Sequence, residues 1–285
     1  MSDASRLPAG RKTDVAKYVA AHGQVTVTAL AEHFAVSADT IRRDLDQLDS
    51  EGVLIRTHGG AMSSSAIPWH DTGLDDRSRL QPDQKEQIGL TAAQLVEDGS
   101  VLFINGGTTT LALVRHLSSR RELIVVTNSL RIPAEISAEA CRDLYVIGGH
   151  VRLSGQVTVG PVVFASSVSG VATDIRVDLA LLGVGAVDAG GISTTNLDEA
   201  AMLAQMASRA RRVAILADST KLDRRLFATI GTLEIADYLI TSTAPTGALA
   251  KALAESSVEV LTPDAAHHDR HQDKHQDKHR VKEDS

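Results

Sequence analysis

From residue 82 to residue 263, short apolar runs alternate with helical segments, and this alternation restricts the fold more than any other feature of the chain. The runs rich in Val, Ile and Leu are SVLFIN, LIVVTN, DLYVIGG, DLALLGVG, RVAILAD, DYLIT and VEVLT. The predicted helices between them include PDQKEQIGLTAAQLVEDG, TTTLALVRHLS, SLRIPAEISAEA, LDEAAMLAQMASRA and PTGALAKALAES. Strands that are apolar on both faces and separated by helices indicate a mainly parallel sheet covered on both sides. The pattern therefore predicts an α/β domain.

The loops at the carboxyl ends of these strands are where a parallel sheet binds ligands. The loop NGGTTT at 105–110 runs from a strand into a helix, so its glycines let the backbone approach an anion while hydroxyls and first-turn amides donate to it. Polar or glycine-rich loops also follow other strands at 127–129, 148–149 and 218–221. Lys221, in the last of these, is placed to supply a charge to a phosphate. The alternative is an ordinary capped turn with a solvated lysine.

Residues 11–51 read as three helices. RKTDVAKYVAAH ends at Gly23, and Thr26 is placed to cap a short second helix. The third runs from Ser37, its N-cap, to Glu51, where a glycine follows. Its apolar residues fall three and four apart and form one stripe to bury, which consists of Ile41, Leu45 and Leu48.

The opposite face of this third helix suits DNA. Thr40, Arg43 and Gln47 lie there with Arg42 on the flank, and such groups match base edges and phosphates. A short helix, a tight turn and a longer helix make a helix-turn-helix, and VLIRTHGGA reads as a small wing after it. The alternative is an amphipathic helix with a solvated face, in which Ser37 only caps and Asp44 only pairs with an arginine.

Charge limits the kind of DNA binding that is possible. The chain has a net charge of −7, and residues 1–60 carry seven Lys or Arg against eight Asp or Glu. These values argue against a protein that coats nucleic acid, so the positive potential must be local. Asp46, Asp49 and Glu51 occupy the C-terminal half of the third helix, which leaves the N-terminal half to read DNA.

Two segments resemble the DeoR family of bacterial transcriptional regulators. Residues 11–61, with VSADTIRRDLDQL and LIRTHGGA, resemble its winged helix-turn-helix domain. Residues 85–262 resemble its effector domain, whose fold is shared with ribose-5-phosphate isomerase. The resemblance implies binding to double-stranded operator DNA and to a phosphorylated sugar or related metabolite that changes DNA affinity, with repression relieved by the ligand as the default. We expect no cofactor.

Both sets of site residues follow from the motifs and the resemblance. The DNA-binding candidates are Ser37, Asp39, Thr40, Arg42, Arg43, Gln47, Arg56 and His58. The resemblance assigns the phosphate to Gly107, Thr108, Thr109 and Lys221, and the sugar to Asn128, Gly149, Arg152 and Glu199. The remaining members of the predicted effector set are Asn105, Gly106 and Ser129. Family members commonly have Asp at the position of Asn105, so this chain keeps an acceptor there and loses the charge.

A sugar-phosphate isomerase fused to a DNA-binding domain is the alternative function. Isomerisation needs a carboxylate that moves a proton between carbons, and Glu199 with Asp188 as helper is the candidate. The segment LLGVGAVDAGG has glycine and aliphatic residues where that resemblance leads one to expect an acidic cluster. We therefore expect a sensor without catalytic residues.

The predicted organisation has four parts: a winged helix-turn-helix over 8–61, a linker rich in Ser, Asp and Pro over 62–81, an effector domain over 82–263 and a His-rich tail over 264–285. Trp69 is expected to anchor the linker. The tail is highly charged with few apolar residues and is expected to be disordered, although four histidines spaced four apart, from His267 to His279, are a weak alternative metal site.

Location and assembly are also expectations from sequence. The lone Cys141 fits a reducing compartment, and no apolar run approaches the length of about 18 residues that a membrane span needs, so a cytoplasmic protein is expected. One recognition helix seldom gives enough affinity for an operator, so a homodimer or homotetramer is expected.

Overall fold

The computed structural model describes residues 8–22, 24–50, 53–57, 59–63, 73–162 and 175–263. They fall into two compact units, divided between Pro82 and Asp83. The predictions made for His58, for the Trp69 anchor and for the tail over 264–285 concern residues outside the described ranges. No helix among the described residues is both long enough and apolar enough to cross a membrane.

The first unit is a helical core with a small sheet. Its elements are α1 (Pro8–His22), β1 (Gln24–Thr26), α2 (Val27–His33), α3 (Ala38–Ser50), β2 (Leu54–Thr57), β3 (Gly60–Ser63) and α4 (Leu74–Ser78). The antiparallel sheet has the order β1-β3-β2. Strand β1 is absent from the predicted elements because three residues are too few to show a two-residue alternation.

The predicted caps and the predicted apolar stripe are present in the helix-turn-helix. Ile41, Leu45 and Leu48 are buried in a core with residues of α1, α2 and β2. The hydroxyl of Thr26 accepts a hydrogen bond from the amide of Ala29, and that of Ser37 accepts one from the amide of Thr40. These bonds satisfy amides that a helix start leaves without partners, so each cap fixes where its helix begins.

The second unit contains the predicted alternation. Its helices are α5 (Pro82–Ala93), α6 (Thr108–Arg115), α7 (Ile132–Glu135), α8 (Leu197–Ala207) and α9 (Gly247–Glu255). Its strands are β4 (Val101–Ile104), β5 (Leu123–Thr127), β6 (Cys141–Val146), β7 (His150–Arg152), β8 (Val157–Val159), β9 (Val177–Gly183), β10 (Ala186–Asp188), β11 (Gly191–Thr194), β12 (Ala210–Leu216), β13 (Ala228–Gly231), β14 (Tyr238–Ile240) and β15 (Glu259–Leu261).

Seven of these strands form one sheet in the order β15-β14-β12-β9-β4-β5-β6, and every neighbouring pair is parallel. The predicted parallel α/β sheet is therefore confirmed. The central strands β4 and β9 are apolar and buried, which matches a sheet covered on both faces. A hairpin of β7 with β8 and a small antiparallel sheet of order β10-β11-β13 are additional to the prediction.

Two predictions for this unit were wrong. The helix expected over SLRIPAEISAEA is reduced to the four residues of α7, because Pro133 cannot lie in a helix interior and the residue after the helix, Ile136, is extended. Strand β6, expected to be covered on both faces, is an edge strand, and most of its side chains are exposed. The short α7 contributes little cover to this end of the sheet.

Candidate functional site

The exposed face of α3 carries the predicted DNA-reading groups. Arg43 and Gln47 are exposed, and Thr40 is partly exposed. Ser37 both caps the helix and shares a hydrogen bond of 2.9 Å between its hydroxyl and that of Thr40. The hydroxyls at the start of α3 therefore take part in fixing the helix, and their remaining hydrogen-bonding capacity is what a phosphate would meet.

The two arginines of α3 differ in their surroundings. The guanidinium of Arg42 donates to the carboxylate of Asp39 at 2.5 Å, and both side chains are exposed. Arg43 makes no hydrogen bond or ion pair with any residue in the described ranges. Gln47 accepts a hydrogen bond from the ammonium of Lys12 on α1. Arg43 is thus the arginine of this helix with all of its donors available.

Arg56, a predicted contact to the DNA backbone, also makes contacts within the unit. Its Nε lies 2.8 Å from Oδ1 of Asp46, and its backbone amide donates to Oδ1 of Asp49 at 2.8 Å. These contacts attach the wing strand β2 to the C-terminal half of α3. They also give two of the acidic groups of α3 a basic or donor partner within the unit.

A buried ion pair fixes α3 against α1. The guanidinium of Arg11 donates to both carboxylate oxygens of Asp44, at 2.6 and 3.2 Å, and the two side chains are 17% and 5% exposed. The hydrogen bond with Asp44 raises the pKa of Arg11 against the opposing effect of burial. One interpretation of the sequence was that Asp44 serves only to pair with an arginine. The ion pair with Arg11 is the arrangement observed.

In the second unit, Asn105 follows β4 and is fully buried. Its Oδ1 accepts from the amide of Gly183, and its Nδ2 donates to the carbonyl of the same residue, both at 2.8 Å. The side chain therefore ties the end of β4 to the end of β9. Both polar atoms of the Asn105 side chain are engaged and none of its surface is exposed, and its direct contact with an effector stays a prediction.

Asn128 has a similar role after β5. Its Oδ1 accepts from the amide of Gly106 at 2.9 Å, and its Nδ2 donates to the carbonyl of Thr158 at 2.8 Å. It is 1% exposed. Asn128 therefore connects the loop after β4 to the hairpin of β7 and β8. Both polar atoms of its side chain are engaged within the chain, and its contact with an effector stays a prediction.

Three further predicted effector residues, Gly106, Gly149 and Ser129, also stabilise the fold locally. A Cβ at Gly106 would lie 2.2 Å from a methyl group of Val157, so no larger residue fits there without a shift. A Cβ at Gly149 would lie 2.5 Å from the carbonyl oxygen of Val159, and the φ of 146° already favours glycine. The Ser129 hydroxyl accepts from the amides of Arg131 and Ile132 and so fixes the turn that leads into α7.

The loop after β4 leads directly into the N-terminus of α6. Gly107 precedes α6, and Thr110 donates its hydroxyl proton to the carbonyls of Asn105 and Gly107, which fixes the loop. The first helical hydrogen bond is from Leu111 to Gly107. The amides of Thr108 and Thr109 therefore have no acceptor within the helix, and the helix dipole adds positive potential at this end.

Lys221 lies in a 3₁₀ turn, Ser219–Lys221, that follows β12. The carboxylate of Asp218 organises this turn by accepting from the amide and the hydroxyl of Thr220 at 3.0 and 2.5 Å. Strands β12 and β4 both lie beside β9, so this turn and the loop after β4 follow strands that are two positions apart in the sheet. Lys221 thus belongs to the same sheet edge as the predicted phosphate loop.

Arg152 and Glu199 are brought together. The guanidinium of Arg152, on β7, lies 3.5 Å from the carboxylate of Glu199, and each side chain is 16% exposed. The same carboxylate accepts from the hydroxyl of Thr194 at 2.8 Å. Glu199 lies in the first turn of α8, whose cap is Asn196. The carboxylate is thus held by two donors at a helix N-terminus.

One residue that sequence reasoning missed is Lys85, a lysine that is only 5% exposed. It shares the buried side of α5 with Ile88 and Ala92, and that spacing was the available signal. Its neighbour Gln84 accepts from the hydroxyls of Ser219 and Ser242, on the loops after β12 and β14. The start of α5 therefore adjoins the edge of the sheet that carries Lys221.

Metal ligands are not grouped in the part of the chain that the structure describes. No cluster of three or more His, Cys, Asp or Glu residues there is placed to hold a metal ion. Cys141 is partly buried at the start of β6, and burial raises the pKa of its thiol. Neither observation points to a metal centre or a reactive thiolate at these positions.

Two protein-family models match the chain. Residues 11–66 match the model of the DeoR-like helix-turn-helix domain, and residues 80–243 match that of the DeoR C-terminal sensor domain. Among solved structures, ribose 5-phosphate isomerase from Plasmodium falciparum aligns with a TM-score of 0.34 and 12% sequence identity. The alignment covers 48% of this chain and 52% of that chain.

Relatives of comparable length are named transcriptional regulators. The repressor CsqR of Escherichia coli K12 is 30% identical, over 86% of this chain and 92% of its own length. The regulator GlpR of Haloferax volcanii is 33% identical, over 82% and 90%. The glycerol-3-phosphate regulon repressor of Escherichia coli K12 is 28% identical, over 88% and 97%. With its helix-turn-helix and sensor domains both matched, the chain belongs to the DeoR family of DNA-binding transcriptional regulators.

Proposed function

We propose that this protein is a repressor that binds operator DNA as a homo-oligomer and is released from it by a phosphorylated sugar or a related small phosphate ester. In this proposal residues 8–61 read the DNA, residues 62–81 are the linker, and residues 82–263 sense the effector. The observation that carries the DNA-binding part is the exposed Arg43, which has no partner among the described residues and lies on the reading face of α3. Arg42 is held by Asp39 through one nitrogen of its guanidinium, which leaves its other donors to add a phosphate contact.

Replacing Arg43 tests the reading face. Arg43→Ala should weaken operator binding by about 1–3 kcal/mol if the guanidinium reads a guanine, with specificity relaxed at one base pair. Fluorescence anisotropy against operator variants at two salt concentrations measures both effects. Arg211→Ala, at an exposed arginine of the second unit, is the control for loss of the same charge. Unchanged affinity for every operator variant would remove Arg43 from the interface.

The effector part of the proposal rests on the start of α6 and on Lys221. First-turn amides, the helix dipole and a nearby lysine are the groups that bind a phosphate monoester. Three relatives are named for the glycerol-3-phosphate regulon, which makes small phosphate esters the first compounds to test. Arg152 and Glu199 would then border the sugar or polyol end, where a hydroxyl can bond to either group.

Thermal-shift measurements test this assignment. A phosphate ester that binds only the folded protein should raise the midpoint of unfolding as its concentration increases, whereas the matching unphosphorylated sugar should not. Lys221→Gln should reduce the shift, and the same ester should release the wild-type protein from its operator. A shift that is equal with the unphosphorylated sugar would contradict the phosphate assignment.

The site is proposed to bind without catalysing a reaction. The Glu199 carboxylate already accepts from Thr194 and pairs with Arg152, and Asp188 accepts from the amide of Gly190. Neither group is positioned as a lone base, which an isomerase would require. Incubation with aldose and ketose phosphates tests this point, and turnover that disappears in Glu199→Gln would refute it.

Release from DNA requires two arrangements of the oligomer that differ in affinity for the effector. The effector can shift the balance between them only by its difference in binding free energy. Two copies are proposed because paired recognition helices match paired half-sites on DNA. Light scattering that shows a monomer with tight operator binding would contradict this part.

A further inference from the structure

Lys12, on α1, contacts the helix that carries the predicted DNA-reading groups. Its ammonium donates a hydrogen bond to Oε1 of Gln47 on α3. Gln47 follows Arg43 by four residues, so the two side chains share one face of the helix. The contact therefore brings a cation from a second helix to the reading face. The sequence did not indicate this, because spacing within α1 does not reveal which helix lies beside it.

The buried ion pair between α1 and α3 fixes the place of this contact. Arg11, the residue before Lys12, donates to both carboxylate oxygens of Asp44, whose side chain is 5% exposed. Two successive residues of α1 are therefore bound to residues of α3 that lie three apart. Because the buried pair holds the α1 backbone at this point, the Lys12 side chain extends from a fixed position beside α3.

The charge balance of the first unit distinguishes Lys12 from the arginines near it. Three arginines have carboxylate partners within the chain: Arg11 with Asp44, Arg42 with Asp39 and Arg56 with Asp46. Lys12 and Arg43 have no carboxylate partner among the residues that the structure describes. They lie on either side of Gln47, so both supply positive charge to the reading face that no acid within the described ranges cancels. An acidic chain needs such local charge to bind DNA.

The position of Gln47 along α3 indicates which part of the DNA lies near it. The helix has 13 residues and is about 20 Å long, whereas the major groove is about 12 Å wide. A helix of this length that reads bases through its N-terminal residues has its third turn at the edge of the groove, beside the phosphates. Gln47 lies in that turn, about 6 Å along the axis from Arg43. Lys12 is thus placed near a phosphate and Arg43 near the bases.

We propose that Lys12 binds a backbone phosphate at the edge of the major groove, with the carbonyl of Gln47 holding its ammonium in place. The inference rests on the proposed function, in which α3 reads the operator, and it adds α1 to the DNA-binding surface. A lysine ammonium has three donors, so the bond to Gln47 leaves two for phosphate oxygens. Such a contact fixes the register of the reading helix and carries no sequence information itself.

The salt dependence of DNA binding by the full chain tests this role. The probe is a duplex that the wild-type protein selects from a random-sequence library, and affinity is measured by fluorescence anisotropy. Lys12→Met should reduce the slope of log affinity against log salt by about 0.9 for each bound copy, because one fewer counterion is released. Over a fourfold rise in salt, such as about 50 to 200 mM, the affinity of the variant should fall about 3.5-fold less per copy than that of the wild type.

Two variants separate charge from other effects of the substitution. Lys17 is an exposed lysine of the same helix, five residues on and about 140° around the axis from Lys12, so Lys17→Met should keep the wild-type slope. Lys12→Arg keeps the charge and should also keep the slope. If Lys12→Met fails to fold, Lys12→Gln repeats the measurement, since it retains a donor for Gln47 and loses the charge.

The role of Gln47 is tested by combining substitutions. Gln47→Met removes the carbonyl that holds the ammonium, so Lys12→Met should cost less affinity in that background than in the wild type. An equal cost in both backgrounds overturns the role of Gln47.

Three results separate failure of this inference from failure of the proposed function. An unchanged salt slope in Lys12→Met, with Arg43→Ala still weakening binding, overturns the phosphate contact alone. A loss confined to one base pair among single-base variants of the selected duplex also overturns it, because Lys12 would then read a base. If Lys12→Met and Arg43→Ala both leave binding unchanged, this face of α3 does not bind DNA and the proposed reading face fails as well.

Discussion

Removing the carboxylate of Asp44 should loosen the recognition helix from α1. Asp44→Ala deletes the acceptor of two charge-assisted hydrogen bonds and leaves the Arg11 guanidinium without its partner. Breaking a fully buried pair costs about 3–5 kcal/mol, mostly from the uncompensated charge. The Arg11 side chain is 17% exposed and can reach water in part, which reduces the expected loss in the free energy of unfolding to about 2–3 kcal/mol.

A double-mutant cycle isolates the interaction from other effects of the substitutions. Arg11→Ala, Asp44→Ala and the double variant are compared by urea unfolding of the full chain, with hydrogen exchange in α1 and α3 as the local measurement. Asp39 and Arg42 provide a matched comparison on the same helix, since that pair is 78% and 54% exposed and should couple by only about 0–0.5 kcal/mol.

The coupling energy of Arg11 with Asp44 should be much larger than that of Arg42 with Asp39. If the Arg11–Asp44 coupling is no greater than that of the exposed pair, the buried contact does not stabilise the unit. Loss of protection in α1 without loss in α3 would also contradict the idea that the pair holds the two helices together. Operator binding by Asp44→Ala should weaken in parallel with the loss of protection in α3.

Two further predictions concern the second unit. In Asn105→Asp, a carboxylate oxygen replaces the amide that donates to Gly183, so only the protonated acid keeps that bond and its pKa should rise in the folded protein. The variant should therefore become less stable relative to wild type as pH rises above about 3.9, the ordinary value for Asp, and urea unfolding that shows a pH-independent difference would refute this. At Glu86, burial alone would raise the pKa, but the hydrogen bonds and charges of Arg115 and His116 lower it on balance. Its contribution to stability is then complete above the ordinary pKa of about 4.3 and is lost as pH falls through the lowered value, so Glu86→Gln should show a shallower acid limb of stability than wild type. Identical acid limbs in the two proteins would show that the cluster contributes nothing.

The parts of the fold that follow from local chemistry were predictable from the sequence. Ser37 and Thr26 could be read as caps because short polar side chains satisfy helix-start amides wherever a helix begins. The stripe of Ile41, Leu45 and Leu48 could be read from spacing alone, since an α-helix fixes which residues share a face. Runs of Val, Ile and Leu between helices similarly determined the parallel sheet.

The roles of individual loop residues were harder to predict from the sequence, because these roles depend on partners that are distant in the chain. Asn105 bonds to a residue 78 positions away, and Asn128 bonds to residues 22 and 30 positions away. Spacing does not reveal such contacts, so both residues were predicted to face a ligand. The late start of the helix at Ile132 had a local cause in Pro133, which fits a first helical turn and not a helix interior, and the sequence contained that signal.

The attachment of Arg56 to Asp46 and Asp49 has a consequence for how operator specificity can evolve. The wing is attached to Asp46 and Asp49, which lie toward the C-terminal end of α3 from Arg43. Arg43 and its exposed neighbours thus carry little of the folding energy, while the acidic half holds the architecture. A lineage can exchange residues at the reading end and acquire a new operator without having to rebuild the domain around it.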